Sequence, residues 1–192
     1  MANRIIIFGK PGSGKGTQAK KLSRILGIFH IDVGSIIREE IKNETEFGIM
    51  AKEYCDQGKL VPDLETSKMI TDFFLKNFNK LRNGFVIEGF PRTLFQLGFL
   101  EQTLEQNNLK INTAVFLNIS NEIIFERIKK RFQSEARKDD GSEKAVKERI
   151  RIFNSETWKC IEFYNKKRIL KEIDGSKTIQ EVLEAILEAI KH

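Results

Sequence analysis

Four short runs along the chain are apolar without strict alternation: Arg4–Phe8, Phe85–Glu88, 113–119 and 168–173. A strand with one face in water alternates apolar and polar residues, whereas a strand covered on both faces does not. Stretches of helical periodicity separate these runs, so the pattern predicts an α/β fold with helices on both faces of a parallel sheet. A fifth strand is predicted at Phe29–Asp32, between the first helix and Gly34. Near the C-terminus, Ile179, Val182, Leu183, Ile186, Leu187 and Ile190 form one helical stripe. Thr178 and Glu181 stand at capping-box spacing ahead of it, which marks a helix start and a core role. Two strongly polar segments, 32–63 and 131–142, break the rhythm. Polar insertions after the carboxyl ends of strands are where α/β folds place movable covers over ligands. The rest of 1–192 reads as a single domain.

Composition narrows the class. Hydrophobic residues make up 40% of the chain and charged residues 31%, ordinary values for a soluble domain. No run approaches the roughly 18 apolar residues of a membrane-spanning helix, and the N-terminus has neither a secretory nor a transit pattern, so a cytoplasmic protein without a membrane partner is expected. Cys55 and Cys160 lie far apart and outside any CxxC pattern, so two buried reduced thiols are expected, with neither a disulfide nor a zinc site. The net charge of +6 implies an anionic partner. That partner is a nucleotide phosphate, an RNA or a membrane surface; RNA lacks support, because there is no RNP signature, KH loop or regular basic and aromatic interleaving.

The sharpest motif follows the first strand: Gly9-Lys-Pro-Gly12-Ser13-Gly14-Lys15-Gly16-Thr17-Gln18, leading into a helical pattern. Glycines allow a tight turn around a phosphate, so that backbone N–H groups and the positive end of the helix point at the anion, and Lys15 adds a compact charge. A flexible glycine-rich turn is the competing reading, and the strand, loop and helix context argues against it. Most phosphate loops carry a Ser or Thr directly after the lysine as a magnesium ligand; here that position is Gly16 and Thr17 comes one residue late. Magnesium is therefore expected to rely on carboxylates or waters elsewhere.

A second constellation ends the Phe85–Glu88 run: Glu88-Gly89-Phe90-Pro91-Arg92-Thr93, followed by Gln96. Glu88 is placed to orient magnesium-bound water, and Arg92 to grip a phosphate through two parallel hydrogen bonds. Arg127 and Arg131 stand four apart, so on a helix they share one face. On local sequence alone, a solvated basic face and a polar surface loop around Arg137 remain open as alternatives.

With these residues the chain resembles the adenylate kinase family of nucleoside monophosphate kinases. GKPGSGKGTQ is similar to its phosphate loop, including the Gly16-Thr17 order, and EGFPRT…Q resembles its DGFPRT…Q segment. The resemblance runs almost end to end. It implies transfer of the terminal phosphate of ATP to AMP, with Mg2+ as cofactor and a monomeric protein. ATP would be held by Gly12, Ser13, Gly14, Lys15, Gly16 and Thr17, with Arg127 stacked on its base and Arg131 on phosphate. Residues 30–38 and 58–63 resemble the family's AMP segments. AMP would then meet Val33, Arg38, Leu60, Val61, Gly89, Arg92 and Gln96, with Gln96 reading adenine and the Phe90–Pro91 bond cis. Residues 137–140 resemble the lid motif of the compact, zinc-free type, adding Arg137 and, from the helix behind, Arg149. The implied catalytic set is Lys15, Arg92, Arg131, Arg137 and Arg149, with Glu88, Asp139 and Asp140 as water-linked magnesium candidates.

The chain departs from the family pattern at Glu88, where Asp is usual, and at Asp32, Val33 and Ser35, where Ser, Thr and Asp are usual. Val33 keeps the shape of Thr and loses its hydroxyl, and Asp32 and Ser35 are placed to exchange polar roles across Gly34. These differences keep two alternatives open, a UMP/CMP kinase and a nucleotide-binding module without efficient transfer; retention of the whole arginine set argues against the second.

Overall fold

The computed structural model describes residues 2–133 and 143–191. Five strands, β1 (Arg4–Phe8), β2 (Phe29–Asp32), β3 (Phe85–Glu88), β4 (Thr113–Asn118) and β5 (Leu170–Asp174), form one sheet in the order β2-β3-β1-β4-β5. Every pairing is parallel. The absence of alternation in β1 has a direct cause. Ile5 and Ile7 face α1 (Lys15–Leu26) and α10 (Ile179–Ala189), while Ile6 and Phe8 face α4 (Asp63–Lys76), α6 (Leu94–Gln106) and α9 (Trp158–Lys166), so the strand sits between two apolar layers. Ile5, Ile6 and Ile7 are 0–1% exposed, and burying each is worth about 1.5–3 kcal/mol.

The last strand starts and ends later than the apolar run implies. Arg168 takes φ 58° immediately after α9, so the helix stop consumes the residue that was expected to open the strand. At the other end of that layer the expected capping box of α10 is present, with the Thr178 hydroxyl accepting from the Glu181 amide and the Glu181 carboxylate accepting from Thr178.

The polar stretch after β2 is helical. It comprises α2 (Val33–Lys42) and α3 (Glu46–Asp56), then the 57–62 loop into α4. A short helix α5 (Phe78–Leu81) precedes β3. Beyond β4, α7 (Asn121–Gln133) and α8 (Glu143–Ile152) pack against each other through Ile124, Ile128, Val146 and Ile150, a small core separate from the two sheet layers. Helix α8 continues into α9 through a π-helical turn, Phe153–Thr157. Cys160 is buried as expected. Cys55 is only half-buried, because it lies on the wall of a cavity rather than in the core.

Candidate active site

The carboxyl ends of β1, β2 and β3 meet two cavities. The larger, about 890 Å³, is floored by the phosphate loop. Here Gly12 and Gly14 adopt φ 80° and 94°, a left-handed backbone that L side chains rarely enter, and the chain turns directly into α1. Gln18 N–H closes the first helical turn on Gly14 C=O at 3.0 Å, and no side chain caps the helix. The positive end of α1 is thus presented to the cavity. Ser13 is buried, Lys15 half-buried and Thr17 exposed. Arg127 of α7 donates 3.4 Å bonds to the carbonyls of Ser13 and Ser176, fastening the loop to the segment before α10 on the cavity's rim.

The smaller cavity, about 460 Å³, gathers Val33 and Arg38 from α2, Leu60 and Val61 from the 57–62 loop, Gly89 and Arg92 after β3, Gln96 from α6 and Arg149 from α8. Residues from opposite ends of the sequence therefore line one wall. Between Gly89 and Arg92 the Phe90–Pro91 bond is cis, as the resemblance implies. The Arg92 side chain is fixed by an Nε–H bond to Gly89 C=O (2.8 Å). Burial lowers its pKa, and the nearby Arg149 adds to the effect while Glu88 opposes it. Such a crowded cationic pocket favours an incoming anion. Arg149 itself donates to Cys55 C=O at 3.4 Å.

Contacts that sequence reasoning passed over hold this wall in place. Gln96, 2% exposed, accepts from the Arg92 amide (2.8 Å) and donates to Asp63 (2.9 Å). Asp63 also receives the Thr93 hydroxyl (2.8 Å), and the Thr157 hydroxyl donates to Arg92 C=O (3.1 Å). An acidic residue directly after Pro62 at a helix start was a visible signal for Asp63. Thr157 had none, since a π turn in a long helix leaves no mark on apolar periodicity.

The two cavities share Gly12, Lys15, Asp32 and Glu88. Asp32 and Glu88 are register partners on adjacent strands. Glu88 is 6% exposed. Burial pushes its carboxyl up from the ordinary range, Asp32 reinforces this by its charge and by a hydrogen bond, and Lys15 and Arg92 pull the other way. Asp32 moves down: burial opposes ionisation, but hydrogen bonds from Ser35, then the charges of Arg38 and His30, outweigh it. The Glu88 side chain also reaches the phosphate loop, where a Cβ at Gly16 would lie 2.9 Å from its Oε1. A side chain at position 16 would therefore have to push the end of the Glu88 side chain aside.

Among the described residues no three His, Cys, Asp or Glu side chains cluster as a metal site. Two hard carboxylates beside a phosphate cradle nonetheless fit magnesium, which keeps several waters and takes one or two carboxylates plus substrate oxygens. Arg131 falls in the last turn of α7. Arg137, Asp139, Asp140 and most of the expected lid lie outside the described residues.

A helix-borne phosphate cradle joined to an arginine-lined pocket defines a P-loop phosphotransferase of the nucleoside monophosphate kinase class. The sequence model of the adenylate kinase family matches residues 7–169. Curated relatives carrying the same name include proteins from Azobacteroides pseudotrichonymphae, 39% identical over 96% of this chain and 95% of that one, and Pseudarthrobacter chlorophenolicus, 36% identical over 98% and 96%. A third, from Clostridium beijerinckii, is 38% identical over 97% and 98%. The chain belongs to the adenylate kinase family.

Proposed function

We propose that the chain transfers the terminal phosphate of ATP to AMP, reversibly, to give two ADP. The observation that carries this reading is the junction of two cavities at Lys15, with backbone phosphate chemistry on one side and guanidinium groups on the other. ATP occupies the larger cavity, its phosphates on residues 12–17 and its base against Arg127. AMP occupies the smaller, its phosphate on Arg38, Arg92 and Arg149 and its base near Leu60, Val61 and Gln96, with Val33 and Gly89 allowing close approach.

Phosphoryl transfer asks little covalent chemistry of the protein. The work is to hold two anions in line and to stabilise charge as it spreads over the moving group. Lys15 stands where both phosphates converge, and Arg92 and Arg149 supply the fixed positive field that would otherwise have to be assembled from water. Arg131 and Arg137 complete the set in this reading. An AMP phosphate oxygen is already ionised, so no general base is needed. Magnesium, when bound, supplies further neutralisation of the ATP oxygens, with Glu88 and Asp32 as the residues suited to hold its waters and Asp139 and Asp140 as further candidates. Residues 32–63 act as the acceptor-side cover and 131–142 as a short lid, which excludes water and so suppresses wasteful hydrolysis.

The same reading makes the protein a cytoplasmic monomer acting on free nucleotides, without a nucleic-acid or membrane partner. Among the described residues no helix is long and apolar enough to cross a membrane.

A second reading, a UMP/CMP kinase, rests on Val33, which is 1% exposed on the acceptor cavity and presents no hydroxyl to a base or ribose. Product formation from ATP and magnesium with AMP, UMP, CMP or GMP, each against an acceptor-free control, separates the two. Rapid ADP formation with AMP alone is expected. Transfer chiefly to UMP or CMP would move the assignment, and no transfer to any acceptor would leave a binding module.

A further inference from the structure

Asp63 lines neither cavity, yet its carboxylate ties the first turn of α4 to the acceptor wall. An acid at this position would favour the helix terminus wherever it pointed. Here both oxygens cross to α6: Oδ2 accepts from the Thr93 hydroxyl (2.8 Å) and Oδ1 from Gln96 Nε2–H (2.9 Å). Thr93 caps α6, and Gln96 stands three residues on, where a capping-box side chain would reach back to the amide of the cap residue. Its Oε1 instead accepts from the Arg92 amide, one residue earlier, at 2.8 Å.

These two partners leave the Gln96 amide one orientation. A backbone N–H only donates and a carboxylate only accepts, so Oε1 must face Arg92 and Nε2 must face Asp63. Turning the amide over would set Oε1 against the Asp63 carboxylate and Nε2 against the Arg92 N–H, two unfavourable contacts on a side chain that is 2% exposed. The two bonds use one Nε2 proton and one Oε1 lone pair, and they leave one of each on a residue that lines the acceptor cavity.

We propose that Asp63 is a positioning residue that sets acceptor-base selectivity: by fixing the Gln96 amide, it favours bases with an exocyclic amino group beside a ring-nitrogen acceptor over bases with a carbonyl beside a ring N–H. The inference rests on reading the smaller cavity as the acceptor site with its base at Gln96. Adenine and cytosine carry the first pattern on the pairing edge; hypoxanthine, guanine and uracil carry the second. A freely turning amide would serve both by rotating half a turn, and a pinned one serves one of them. The pin lies outside the cavity, so the selectivity depends on a residue that the nucleotide does not touch.

The test uses AMP and inosine monophosphate as acceptors for the full chain with ATP and magnesium, a pair that differs only by exchanging the amino group and ring acceptor for a carbonyl and ring N–H. In the parent, kcat/KM for AMP should exceed that for inosine monophosphate by about 100-fold or more. Asp63→Ala should narrow this ratio about tenfold, chiefly by raising KM for AMP, while KM for ATP stays within about twofold. Asp63→Asn keeps an oxygen for Gln96 and lets its Nδ2–H donate to the Thr93 hydroxyl, so its ratio should stay within about twofold of the parent's. A parent that takes both acceptors equally overturns the proposal. So does an Asp63→Ala variant whose loss is confined to Tm or shared equally by the two acceptors, which marks a merely structural contact. A ratio that collapses in Asp63→Asn as far as in Asp63→Ala overturns it too, since charge and not amide orientation would then be at work. Gln96→Ala separates this from failure of the acceptor reading. If Gln96→Ala abolishes the preference and Asp63→Ala leaves it intact, the positioning role falls and the acceptor reading stands; if neither variant changes KM for AMP, the acceptor reading itself is wrong.

Discussion

On the proposed assignment, the donor and acceptor halves of the site are built on different principles. The phosphate-holding part of the donor half is one contiguous piece of chain, residues 12–18, which presents chiefly backbone dipoles and a helix terminus, while Arg127 and residues 175 and 177–179 line another part of the same cavity. The acceptor half is drawn from α2, the 57–62 loop, the end of β3, α6 and α8, and it works through side chains. Its geometry depends on bonds between elements, such as Gln96 to Asp63 and Thr157 to Arg92 C=O. A backbone cradle tolerates side-chain change and offers little tuning. A side-chain pocket can be retuned residue by residue, and each member can also be lost singly. Of the departures from the family pattern, Val33 lines the acceptor cavity alone, Asp32 and Glu88 stand at the junction of the two cavities, and Ser35 lines the phosphate-loop cavity.

The largest expected effect breaks the two halves apart. Arg92→Ala should lower kcat/KM for AMP by about 10³-fold, in line with loss of one preorganised cationic group from a phosphoryl-transfer site, while ATP affinity stays within about twofold. Lys15→Ala, on the wall common to both cavities, should lower transfer by a similar factor and weaken ATP as well. A coupled ADP assay with a parallel ATP-binding titration reads both. Equal loss of ATP affinity in the two variants would mean that the halves are not separable.

A smaller effect tests the contact between them. Alanine at position 16 would bring its Cβ to 2.9 Å from Glu88 Oε1, and Glu88 cannot withdraw freely because burial and Asp32 hold it. Gly16→Ala should therefore cost about 10–100-fold in kcat, the scale of an approximately 1 Å misplacement near the chemistry. Glu88→Asp shortens the side chain by one C–C bond, about 1.5 Å, and relieves the clash. Gly16→Ala should then cost much less in the Glu88→Asp background than in the parent. Additive losses in this cycle would show that Gly16 and Glu88 act independently.

The same contrast governs what the sequence disclosed. The phosphate loop was readable because glycine, lysine and helix start are local signals close together along the chain. The apolar strands were readable because burial on both faces removes alternation, as at Ile5, Ile6 and Ile7. The residues lining the acceptor cavity were named through family resemblance, since no spacing rule connects Val33, Val61, Gln96 and Arg149. What stayed hidden was the support behind them. The bonds of Asp63 and Thr157 and the pairing of Asp32 with Glu88 arise from strand register, from packing between helices and from a helix with one extra residue in a turn, and none of these is encoded in periodicity.

The smallest effect is thermodynamic and belongs to the junction alone. In the folded chain the Glu88 carboxyl titrates above the ordinary glutamate value of 4.5, with burial as the largest cause. As pH rises from that value, the unfolded chain releases this proton before the folded chain does, so the stability held by the protonated form is lost progressively until the folded group has ionised. Glu88→Gln keeps the shape, removes the titration and escapes this loss. In nucleotide- and metal-free protein, the Tm of the variant minus that of the parent should therefore widen as pH climbs from about 4.5 and level off once Glu88 is ionised, with each kcal/mol appearing as about 2–4 °C in a chain of this size. A gap that stays flat with pH would mean that Lys15 and Arg92 already neutralise the buried carboxylate. The junction would then be a salt-bridged part of the acceptor half rather than a strained contact between the two.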